Sequence, residues 1–64
     1  MVVEFEGKRI EFTEVVDVFD SHGPYCQEVE VLGEDENGVE YSAIGMYELD
    51  EITEIEEDSI EIIE

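Results

Sequence analysis

Residues 27–47, QEVEVLGEDENGVEYSAIGMY, decide the fold. Val29 and Val31 alternate with Glu28 and Glu30, and on the return Val39, Tyr41 and Ala43 alternate with Glu40, Ser42 and Ile44. Period two is the spacing of a strand with one buried face. Between the two runs, Asn37-Gly38 is hairpin chemistry, because both residue types accept the positive φ angles of a tight turn. The stretch therefore predicts a β-hairpin with valines and tyrosine inward and glutamates outward.

The flanking sequence repeats the pattern. VVEFEGKRIEF (2–12) sets Val3, Phe5, Ile10 and Phe12 against Glu4, Glu6 and Glu11, with a turn expected at Gly7-Lys8. The second strand continues through VVDVF (15–19), where Val15-Val16 breaks the alternation and predicts a bulge. DSHGPY (20–25) gathers loop formers. In DEITEIEEDSIEIIE (50–64) a helix would align Leu49, Ile52, Ile60 and Ile63 but leave Ile55 and Ile62 to the side. Ile and Thr favour strands, and SIEII alternates, so two short strands separated by EED are expected. The predicted class is all-β: a small antiparallel sheet or compact barrel of five to six strands, in a single domain over residues 1–64. An α+β fold follows only if residues 50–64 are helical.

With 64 residues the core is thin, since a chain this size buries only ~60% of the surface its unfolded form exposes. A hydrophobic content of 42% nevertheless argues against disorder. One cysteine precludes an internal disulfide. No apolar run approaches the ~20 residues of a membrane span, and the N-terminus lacks signal-peptide character, so a cytoplasmic protein is expected.

Charge is the outlier. Twenty-one acids against two bases give −19, and residues 25–64 contain no Lys or Arg. The ordinary role of an acid is half of a solvated ion pair. Two bases cannot serve twenty-one acids, so most carboxylates must repel one another.

Familiar chemistries fit poorly. GEDENG resembles part of a calcium loop, but the motif's first and twelfth positions hold Gly33 and Ile44 where acids are required. His22 and Cys26 are two soft ligands where zinc needs four, and neighbouring carboxylates disfavour a reactive thiolate. Paired carboxylates for acid–base catalysis are inevitable among so many acids, and a chain this short has little room for a cleft. No enzyme activity, cofactor or metal is expected. Direct binding to nucleic acid is opposed by charge.

The surface itself remains. A folded area of ~4,000 Å² gives ~200 Å² per carboxylate, against ~100 Å² per phosphate for duplex DNA of one charge per ~1.7 Å. In composition and size the chain resembles the small acidic inhibitors that phages and mobile elements direct against restriction, CRISPR or DNA-repair enzymes. That resemblance implies an acidic nucleic-acid mimic of the anti-CRISPR, anti-restriction or repair-inhibitor type, acting in the host cytoplasm on a basic nucleic-acid-binding protein. Glu28, Glu30, Glu34, Asp35, Glu36, Glu40, Asp50, Glu51, Glu54, Glu56, Glu57, Asp58 and Glu61 are the expected phosphate stand-ins. Tyr25, Tyr41 and Tyr47 are candidate anchors or, more simply, packing residues. The alternatives are a generic acidic interaction module, a salt-adapted domain or a cation binder. Against salt adaptation, Glu outnumbers Asp sixteen to five among large apolar residues.

Overall fold

The computed structural model describes residues 1–21, 23 and 25–63. It is an antiparallel meander of β1 (Val2–Phe5), β2 (Lys8–Ser21), β3 (Cys26–Asp35), β4 (Glu40–Glu48) and β5 (Glu51–Ile55). A 3-10 turn (Glu57–Ser59) and β6 (Glu61–Ile62) complete it, with β6 also paired to β4. The all-β expectation holds, and residues 50–64 contain strands where a helix was the alternative. The chain is elongated, 36 × 19 × 18 Å, and among the described residues no helix is long and apolar enough to cross a membrane.

One face of the sheet forms the core. Ile10, Phe12, Val29, Val31 and Tyr41 are essentially inaccessible, joined by Ala43, Ile55 and Ile60. Val3, Phe5, Val15, Val39, Tyr47 and Ile52 pack around them, half-buried. These inward positions are those of the period-two pattern, apart from the strands of the last fifteen residues. Among the described residues no second layer covers this face, so the sheet must curl to bury it. Two glycines permit the curl. A Cβ on Gly33 would lie 2.6 Å from the Glu11 carbonyl oxygen and 2.7 Å from Phe12 Cδ1. One on Gly45 would overlap the Glu54 carbonyl. Neighbouring backbones thus approach where a side chain would hold them apart.

The hairpin turns differ in detail from expectation. Phe5 pairs with Lys8, so the first turn is Glu6-Gly7, with φ of 50° and 77°. Glu6 is therefore a turn residue and not the last outward residue of a strand. In the second hairpin only Gly38 has positive φ (81°). Its N–H bonds Asp35 O at 3.1 Å, and Asp35 N–H bonds Val39 O at 3.0 Å. This is a three-residue turn ending in a left-handed glycine. A third tight turn, Leu49-Asp50, carries φ of 49° and 67° without any glycine. It had no signal in the sequence, since Leu is a poor left-handed residue.

Strands β5 and β6 run along the same side of β4, against Gly45–Glu48 and Tyr41–Ser42 respectively. They amount to one edge strand interrupted by the 3-10 turn. At the interruption, Ser59 Oγ accepts from Ile44 N–H at 2.8 Å and donates to Glu56 O at 2.6 Å. The hydroxyl takes over a ladder position that the backbone has left, and the excursion delivers Ile60 to the core.

Candidate functional site

Residues paired across an antiparallel ladder share a face, so the register assigns the carboxylates. On β3 the even residues Glu28, Glu30, Leu32 and Glu34 face away from the core, as do Ser42, Ile44, Met46 and Glu48 on β4. Their partners on β2 are Asp20, Asp17, Glu14 and Glu11. The outer face therefore carries rows: Glu11, Glu34 and Glu40; Glu14, Leu32, Ser42 and Glu61; Asp17, Glu30 and Ile44; Asp20, Glu28, Met46 and Glu54; Cys26, Glu48 and Glu51. Every row across β2 and β3 contains at least one acid.

The four acids of β2 were not among the expected site residues. They recur every third position, a spacing with no meaning in a regular strand. The register shows why they align. Thr13, Val16 and Phe19 are extra residues without partners on β3, each marking a bulge between Phe12 and Glu14, Val15 and Asp17, and Val18 and Asp20. One bulge was anticipated at Val15-Val16; there are three. Each inserted residue restores the next acid to the outer face, so period three on β2 matches period two on β3. That triplet repeat is the signal that could have found them.

The expected residues divide by position. Glu28, Glu30, Glu34, Glu40, Glu51, Glu54 and Glu61 lie in the outer rows. Glu36 and Asp50 sit exposed in hairpin turns, and Glu56, Glu57 and Asp58 in and before the 3-10 turn, beside the sheet edge.

Asp35 does not belong with them, being only 7% exposed. Its Oδ1 accepts from Asn37 N–H at 2.8 Å and Val39 N–H at 3.0 Å, and its Oδ2 accepts from Tyr41 Oη at 2.9 Å. Burial pushes its pKa up, but the hydrogen bonds from Val39, Tyr41 and Asn37, with the charge of Lys8, bring it below the ordinary Asp value. Asp35 organises a turn and cannot present charge to a partner. The same contacts remove the side chain from any calcium loop.

The two bases divide: Arg9 lies on the outer face at its β1 end, near Glu11 and Glu34, and Lys8 on the opposite one. Lys8 belongs to the end where Asp35 and Tyr41 meet, and Arg9 stands directly opposite Glu4 at the short β1–β2 ladder. Of the tyrosines, Tyr41 is buried, Tyr47 packs against the core, and only Tyr25 is well exposed, at 69%.

Cys26 Sγ lies 3.7 Å from Glu48 Oε1. Burial, the Glu48 charge and this contact raise its pKa, which keeps the thiol protonated and weakly nucleophilic. His22 lies outside the described residues. Among the described residues no three His, Cys, Asp or Glu side chains converge in a way that would hold a metal ion. No protein-family model, curated protein or solved structure matches the chain.

Proposed function

We propose that this protein is an acidic nucleic-acid mimic that inhibits a basic nucleic-acid-binding partner by occupying the surface meant for DNA or RNA. The targets it fits are those of anti-CRISPR, anti-restriction or repair-inhibiting proteins. The observation carrying this reading is the set of carboxylate rows on one sheet face, where the one base, Arg9, stands at the β1 end and no base accompanies the rows from Glu14 onward. Successive rows are about 6.8 Å apart, two residues of strand rise. Glu11, Glu14, Asp17 and Asp20 with Glu34, Glu30 and Glu28 thus span about 20 Å, or one charge per ~3 Å. A single nucleic-acid strand carries one per ~3.4 Å and the duplex one per ~1.7 Å. Over the whole molecule, 4460 Å² of surface and a charge of −19 give about 235 Å² per net charge. Along β2 and β3 the carboxylate spacing is thus comparable with the phosphate spacing of one strand of nucleic acid.

Such a face attracts a basic groove strongly and with salt-sensitive association. The test is competition. A panel of restriction, CRISPR and repair enzymes is titrated with fluorescent DNA in the presence of the protein. Displacement of DNA from at least one enzyme, reversed by excess DNA and weakened by replacing Glu30, Glu34 and Glu54 with Gln, is the expected result. If an enzyme binds the protein and DNA together without competition, mimicry is wrong and an acidic docking module is the better description.

A further inference from the structure

The bulged half of β2 reads as three triplets: Thr13-Glu14-Val15, Val16-Asp17-Val18 and Phe19-Asp20-Ser21. Each holds an unpaired bulge residue, an acid in register with the outer row of β3, and a residue in register with its inner row. The first strand accompanies β2 only from Lys8 to Glu11, with one further pair of bonds between Met1 and Phe12. From Thr13 onward, this margin of the sheet has no neighbouring strand among the described residues.

Val16, Val18 and Phe19 lie on that margin, 45%, 50% and 50% exposed. Thr or Lys would serve an exposed β position as well without presenting apolar surface to water. Clustered exposed apolar side chains mark surfaces that another molecule covers. A second copy is a poor occupant, because each chain carries −19 and bulges spoil an edge for strand addition. Nucleic acid and anionic membranes are repelled by the same charge. What complements apolar side chains set among Glu14, Asp17 and the facing Glu30 is a segment that is both apolar and basic.

We propose that the bulged margin of β2 docks a basic amphipathic segment of a partner protein. Its apolar side chains cover Val16 and Phe19, and its Lys or Arg side chains reach Glu14, Asp17 and Glu30. The inference shares with the proposed function only the requirement that the partner be basic. It adds that recognition includes an apolar anchor, which a pure phosphate imitation lacks.

Two short synthetic peptides of equal charge, one alternating Lys with Leu and one alternating Lys with Ser, serve as probes. Any polyanion binds both, so the informative quantity is the ratio of their affinities. At ~0.15 M salt, where exposed charges are partly screened, the Lys–Leu peptide should bind at least about tenfold more tightly, consistent with partial burial of two large apolar side chains. Replacing Val16→Thr with Phe19→Ser should bring the ratio to near one while leaving Lys–Ser binding unchanged. Ile62→Thr, at the far edge, should leave the ratio alone. Amide chemical-shift changes on the unmodified protein, concentrated in residues 13–21, check the location even if a variant folds poorly. A ratio near one for the unmodified protein, equal loss in Ile62→Thr, or shifts centred on β4–β6 would each overturn the proposal. None of these readouts involves nucleic acid, so failure here is distinct from failure of the mimicry reading.

Discussion

Glu34 stands between Glu11 on β2 and Glu40 on β4, both directly opposite it in the ladder. Replacing Glu34 with Gln keeps the shape and removes one charge from the middle of a three-acid row. Directly opposed Cβ atoms lie ~5 Å apart, and flexible Glu side chains splay their carboxylates to ~7 Å. In water two unit charges at that distance repel by ~0.6 kcal/mol, so relieving two such contacts should stabilise the fold by about 1 kcal/mol at low salt. For a domain of this size that is ~4–8 °C in melting temperature. In 1 M salt the screening length falls to ~3 Å and most of the gain should vanish. Urea midpoints and thermal melts of the two proteins, at low and high salt, measure this directly. Glu36→Gln is the control: it changes net charge equally but sits in a turn with no carboxylate paired opposite. The reasoning is refuted if Glu34→Gln is no more stable than the parent at low salt, or if Glu36→Gln gains as much. The first result would mean that the opposed carboxylates do not repel measurably, and the second that overall charge, not the rows, sets the repulsion.

Gly33→Ala should destabilise the fold by about 1–3 kcal/mol, the usual cost of overpacking, because the new methyl meets the Glu11 carbonyl and Phe12 ring; an unchanged urea midpoint would show that β2 can move aside. Leu49→Asn should stabilise by about 1 kcal/mol, since Asn tolerates the left-handed φ of 49° that Leu adopts there, and a lower midpoint would count against the assigned turn. Burial, followed by the hydrogen bond and charge of Asp35, raises the Tyr41 phenol above its ordinary value even though Lys8 opposes the shift. The folded state then holds that proton more tightly than the unfolded one, so stability should decline as pH rises above about 10, and Tyr41→Phe should show a smaller alkaline loss in urea midpoints. The sign reverses for Asp35. Its lowered folded value contributes stability above the ordinary Asp range that is lost as pH falls through it, and Asp35→Asn should flatten this acid limb.

The sequence alone determined the β class, the hairpin order and the inward set Ile10, Phe12, Val29, Val31 and Tyr41. Those features rest on period-two patterning and turn chemistry, which act between near neighbours in the chain. Counting alone also determined that two bases leave most of twenty-one acids without a countercharge. Only the tertiary structure decided which acids share a face. The bulges at Thr13, Val16 and Phe19 are defined by register against β3, and they brought Glu14, Asp17 and Asp20 into rows alongside Glu11. Burial removed Asp35 from the surface because two backbone N–H groups and the Tyr41 hydroxyl converge on it only once the hairpin closes. Leu49-Asp50 became a turn against its own backbone preference because the pairing of β4 with β5 requires one there. Local physics sets the elements and the total charge, whereas register, which is non-local, turns a count of carboxylates into an ordered face.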